Sequence, residues 1–211
     1  MPASQNTAPT IPPLTAVGIL SAAVLAYEIL LMRLFAIVHW HHFAFMMISI
    51  ALLGYGASGT FLMLVPALGA NRLRTLFLTG ATGFSIACVV CFVAAQHLPF
   101  NALEVFWDPG QWGYLAGVYG LLFLPFFMAA TSIGAVLRCG GPRISQIYAA
   151  DLCGAGIGAG ITAGLLFRIP PQMALVIVAS GGAAAALLAA FRWKVKGRLL
   201  LTVAVTGWLI I

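Results

Sequence analysis

Leu14 to Val38 reads LTAVGILSAAVLAYEILLMRLFAIV, a run interrupted by only two charges, Glu28 and Arg33, and by no proline. About 20 apolar residues in a helix cross the ~30 Å hydrocarbon core of a bilayer, and this stretch exceeds that. Five more runs qualify: Phe43–Val65, Leu76–Ala95, Tyr114–Leu137, Ile147–Phe167 and Met173–Phe191. A seventh begins near Leu199 and reaches Ile211. At 1.5 Å per residue it covers roughly 20 Å, short of the hydrocarbon core. It is therefore expected to be incomplete and to continue beyond the chain as given. The composition agrees: 63% of the 211 residues are hydrophobic and only 7% are charged, against about 25% charged in an average soluble domain. So few charges cannot clothe a water-soluble surface. A soluble enzyme, a nucleic-acid-binding domain and a disordered chain are excluded. The predicted fold is all-α, a polytopic transmembrane helical bundle of about seven helices with the last incomplete. Residues 1–13, polar and holding four prolines, are expected to be a disordered cytoplasmic tail, and 14–211 the transmembrane domain.

The net charge of +6 follows membrane topology rather than nucleic-acid binding. Arg72 and Arg74 lie between the second and third runs, Arg138 and Arg143 between the fourth and fifth, and Arg192, Lys194, Lys196 and Arg198 between the sixth and seventh. The alternate loops hold only Arg168. Basic residues collect on the cytoplasmic side, so the N-terminus is predicted to be cytoplasmic in a multi-pass bacterial inner-membrane protein. His39–His42, His97–Gly113 and Arg168–Gln172 then face outward. In the longest of these loops Trp107 and Trp112 read as interfacial anchors. Pro125, in the middle of the fourth run, should kink its helix because it lacks an N–H.

Glu28, Arg33 and Asp151 are the ionisable groups inside the apolar runs. Such a group is costly in lipid unless paired or hydrated, and it marks a functional site by default. An internal ion pair fixing the packing is the competing reading. Glu28 and Arg33 are five residues apart and do not share a helix face, so at least one needs a partner on another helix. Gly54-Tyr-Gly-Ala-Ser-Gly59 spells GxGxxG, but it lies within an apolar run with no strand before it, which disfavours a dinucleotide site. Close packing of helices through small residues explains it better. Gly154, Gly158, Gly160 and Gly164, with Gly156, form overlapping GxxxG spacings and predict tight helix packing, within this bundle or against a partner. His39, His41, His42 and His97 gather at the outer ends of the first three helices, where they would hold a metal ion or haem, or simply form an interfacial turn. Cys88 and Cys91 lack a second CxxC and read as small apolar residues. No GxSxG, HExxH or Walker A motif is present, so no catalytic residue and no cofactor is assigned.

Two stretches resemble a known family. Tyr27–Gly59 reads YEILLMRLFAIVHWHHFAFMMISIALLGYGASG, and Ile147–Gly160 reads IYAADLCGAGIGAG. Both resemble the membrane domain of bacterial spermidine-synthase-like integral membrane proteins, which is similar to one half of a major-facilitator transporter. Glu28, Arg33, His42, Tyr148 and Asp151 fall on that family's polar positions. The resemblance implies a membrane module that binds or passes a small polar or cationic solute such as a polyamine. Glu28 and Asp151 would serve as anionic ligands, with Arg33 and Tyr148 completing the site. The family's soluble aminopropyltransferase-like domain has no counterpart in these residues, so no enzymatic step is assigned. The alternative is a non-catalytic structural subunit of a larger membrane complex, docked on a partner or on a second copy through the glycine-rich helix. Lipid is a partner in either case, and nucleic acid in neither.

Overall fold

The computed structural model of the chain describes residues 11–38, 42–66, 68–100, 104 and 107–194. These form six α-helices: α1 (Leu14–Val38), α2 (His42–Leu64), α3 (Ala70–Gln96), α4 (Gly110–Arg138), α5 (Ile144–Leu165) and α6 (Pro171–Arg192), with a 3-10 turn at Gly141–Arg143 before α5. Seven helices were expected. Six are found among the described residues, and the seventh run, 199–211, lies outside them.

Five helices are long and apolar enough to cross a membrane: α1, α2, α3, α4 and α6. α5 has the length, at 22 residues, but Ser145, Gln146, Asp151 and its glycines dilute its apolar content. Large apolar side chains cover the outside of the bundle. Phe45 is 69% exposed, Met63 87% and Ile157 61%. Monomers in water rarely tolerate such a surface; hydrocarbon covers it at no cost. The chain is a multi-pass helical membrane protein.

The five spanning helices close on themselves. α1 touches α2, α2 touches α4, α4 touches α3, α3 touches α6, and α6 returns to α1. At the centre Tyr27 meets Phe84 edge-on, with ring centroids 6.0 Å apart, and Phe126 at 5.4 Å. All three side chains are fully buried. Serines bind neighbouring helices together through their hydroxyls. Ser85 donates to the Ala179 carbonyl at 2.7 Å, and Ser132 lies 3.3 Å from the Phe77 carbonyl. Pro125 lies within α4, which continues through it as one element. α5 stands outside the ring, packed along α1.

The helices run alternately up and down, as side-chain contacts at the two ends establish. At one end Arg138, in the last turn of α4, donates to the carbonyls of Leu62 and Val65 at the end of α2. A cavity at the same end joins Ile11, Arg74, Arg143 and Arg192, which flank the start of α1, the start of α3, the start of α5 and the end of α6. At the other end the Arg33 guanidinium lies over the Phe167 ring, 5.7 Å from its centroid. Arg72, Arg74, Arg138, Arg143, Arg192 and Lys194 therefore share one end of the bundle, and Arg33 and Arg168 belong to the other.

Candidate functional site

A cavity of about 370 Å³ opens between α1, α2, α4 and α5. Val24, Leu25, Ala130, Ile133 and Leu137 supply apolar wall, and the polar groups are Asp151, Ser21, Tyr55 and Ser58. The cavity exists because of how α5 seats on α1. A Cβ on Gly154 would lie 2.6 Å from the Gly18 Cα, and one on Gly158 would lie 2.6 Å from the Ala22 Cα. Only glycine permits two backbones this close. The contact brings Asp151, one turn before Gly154, against Ser21.

The Ser21 hydroxyl lies within hydrogen-bonding distance of Asp151 Oδ1 and, at 3.0 Å, of the Val17 carbonyl in its own helix. A hydroxyl has one proton to give. The carboxylate is the stronger acceptor, since a bond to an ionised group is about twice as strong as a neutral one. The proton therefore goes to Asp151. On the facing wall the Ser58 hydroxyl is engaged with the Tyr55 carbonyl at 2.8 Å. Tyr55 lines the same cavity as Asp151. Among the described residues no Lys or Arg lines the cavity. A carboxylate and three hydroxyl-bearing residues in an otherwise apolar recess favour a cation over an anion.

The residues singled out from the sequence separate in space. Asp151 lies on the cavity wall. Glu28 lies one turn along α1 from the lining residues Val24 and Leu25; it is half-buried, and among the described residues it makes no hydrogen bond or ion pair. The polar partner expected for it on another helix is not found among the described residues. Arg33 belongs to the opposite end of α1, over Phe167. Tyr148 is 54% exposed and does not line the cavity. Arg138 caps the carbonyl end of α2. His42 opens α2 and His97 caps the end of α3, whereas His39 and His41 lie outside the described residues. Among the described residues no three His, Cys, Asp or Glu side chains converge as metal ligands.

The glycine ladder splits in the same way. Gly154 and Gly158 face α1, but a Cβ at Gly156, Gly160 or Gly164 would meet nothing within 4 Å. In GxGxxG, Gly54 packs on α4, where a Cβ would come 2.6 Å from the Phe126 Cβ, while Gly56 and Gly59 are open. Sequence reasoning missed Ser21, Tyr55 and Ser58. The available signal was weak: Ser21 is a lone hydroxyl in an apolar run, and Tyr55 and Ser58 sit inside the glycine motif. Among known proteins, no family model, no curated protein and no solved structure matches this chain.

Proposed function

We propose that this chain is a membrane module that binds or passes a small cationic solute of the polyamine type, with Asp151 as its anionic ligand. The observation that carries the reading is the Asp151 carboxylate, hydrogen-bonded by Ser21, on the wall of a cavity that no basic side chain lines among the described residues. Tyr55 and Ser58 add hydroxyl oxygens that accept from an ammonium group. Glu28, one turn away along α1, supplies a second negative charge for a second amine of the same solute. Tyr27–Gly59 and Ile147–Gly160 support membership in the spermidine-synthase-like membrane family, because the helices that build the cavity include those two stretches. The crowding of basic residues at one end of the bundle supports a cytoplasmic orientation for that end, in a bacterial inner membrane. Reporter fusions at Gly141 (cytoplasmic) and Pro109 (external) check this orientation.

Equilibrium binding of labelled spermidine and of a monoamine to the purified protein tests the site. Asp151→Asn should abolish saturable binding, and Glu28→Gln should weaken the polyamine more than the monoamine. Unchanged polyamine binding in Asp151→Asn overturns the assignment.

One set of observations favours the second reading, a structural subunit of a larger complex. The outward face of α5 carries Gly156, Gly160 and Gly164, which meet nothing within 4 Å, beside the exposed Ile157 and Ile161. A small-residue face in lipid is suited to a second helix. Crosslinking through cysteine placed at Gly160, in native membranes, would reveal a stoichiometric neighbour.

A further inference from the structure

The basic end of the bundle encloses a second cavity, of about 350 Å³, unrelated in chemistry to the first. Arg74, Arg143, Arg192 and Lys194 line it, with Trp193 and Ile11 completing the wall. These residues come from the first turns of α3, the turn that opens α5, the end of α6 and the segment before α1. The fold, not a local sequence run, gathers the four cations. No carboxylate lines the cavity. Of the four acidic side chains in the chain, Asp151 lies in the other cavity, Glu28 lies within α1, and Glu104 and Asp108 precede α4 at the opposite end of the bundle. The Arg74 guanidinium lies 5.9 Å from the centroid of the Trp193 ring, and Trp193 packs edge-on against Phe77 at 5.9 Å. Arg74 is thereby held in place at the wall. Arg143 precedes the N-terminus of α5, where the helix dipole adds to the positive potential.

We infer that this cavity is a binding site for a phosphate-bearing anion, either the headgroup of an anionic phospholipid or a soluble phosphate. Guanidinium forks match phosphate oxygens two at a time, and Lys194 adds a point charge. Four cations converging from three separate segments, the start of α3, the turn before α5 and the end of α6, are arranged around one small anion rather than spread for solubility. The volume falls in the range of small-ligand sites and exceeds what one phosphate fills, leaving room for an attached glycerol. Trp193 and Ile11 give that attached group an apolar wall. The site lies at a helix-end boundary, where basic pockets between membrane helices meet lipid headgroups.

Thermal unfolding of the full chain in neutral detergent tests this, with added phosphatidylglycerol, phosphatidylcholine or inorganic phosphate. Phosphatidylglycerol should raise the unfolding temperature and phosphatidylcholine should not. The phosphatidylglycerol concentration giving half the effect should rise about tenfold in Arg192→Gln, the loss expected for one charge-assisted hydrogen bond. Lys194→Gln is the second variant; both side chains are exposed, so the fold tolerates either change. Arg168→Gln, at the opposite end, should behave as wild type. If inorganic phosphate alone reproduces the shift, the soluble source is the ligand; if only the lipid does, the headgroup is. The inference fails if neither anion shifts unfolding, if phosphatidylcholine acts equally, or if Arg168→Gln weakens the effect as much as Arg192→Gln and Lys194→Gln.

Discussion

The centre of the five-helix ring and the seam between α1 and α5 solve the same packing problem in opposite ways. At the centre, Tyr27, Phe84 and Phe126 hold helices apart and fill the space with rings. Along the seam, Gly18, Gly154, Ala22 and Gly158 bring backbones into direct contact. Both arrangements exclude lipid, but their consequences differ. Large side chains interlock, leave little room for water and put no polar group to use; the Tyr27 hydroxyl at the centre is buried without a partner. Small residues pull two backbones together and carry short polar side chains into contact, which is how Ser21 reaches Asp151. The polar cavity therefore lies beside the seam and not in the ring's centre.

The contrast is sharpest where a ring is removed. Phe126→Ala should lower stability by about 3–5 kcal/mol, the usual loss for a buried aromatic residue, read as a large fall in unfolding temperature in detergent. A much smaller loss would mean that the neighbouring helices collapse into the space and that the centre is not closely packed.

Gly158→Leu tests the seam. The added side chain meets the α1 backbone, which cannot swing aside as a flexible side chain would, so about 1–3 kcal/mol of overpacking is expected. Gly160→Leu, where a Cβ meets nothing within 4 Å, should leave the purified chain unchanged. Equal effects from both substitutions would show that α5 is rotated from the arrangement described here.

Ser21→Ala removes the donor to Asp151. Interhelical hydrogen bonds in membranes contribute about 0.6 kcal/mol on average and up to roughly 1.7, so a small loss of stability is expected. Combined with Asp151→Asn, the double variant should lose less than the sum of the two single losses; strict additivity would show that the pair does not interact. The smallest effect is predicted for Tyr27→Phe. Its hydroxyl has no partner to lose, and replacing an unsatisfied buried polar group by an apolar one is neutral or slightly stabilising. A clear destabilisation would mean that a bound group satisfies the hydroxyl in the purified protein.

Hydropathy dictated the helices themselves. In lipid every backbone polar group must be satisfied internally, so each long apolar run has one available structure. The six runs from Leu14–Val38 to Met173–Phe191 each correspond to one helix, with ends shifted by a few residues. The alternation of basic loops likewise anticipated which helix ends lie together, because each span reverses the chain's direction. The glycine spacing announced that α5 packs closely, and Asp151 stood out because a charge among apolar residues is expensive.

Which residues meet was another matter. Glycines four apart on α5 are alike in sequence, yet Gly158 touches Ala22 while Gly160 faces outward, because the 100° step of the helix puts only one of these stripes against α1. Glu28, in the middle of its run, has more reason by sequence to be functional than Asp151 near the start of α5, but among the described residues only Asp151 is met by a hydroxyl from another helix. Tyr55 and Ser58 enter the site only because α2 and α5 both flank α1. Arg74, Arg143 and the Arg192–Lys194 pair come from three segments far apart in the chain and form one cavity only after the helix ends assemble. Apolar periodicity states that a face is buried and is silent on what buries it. Partner choice comes from the shape fit of small against small and ring against ring across helices, and that fit exists only once the helices are side by side.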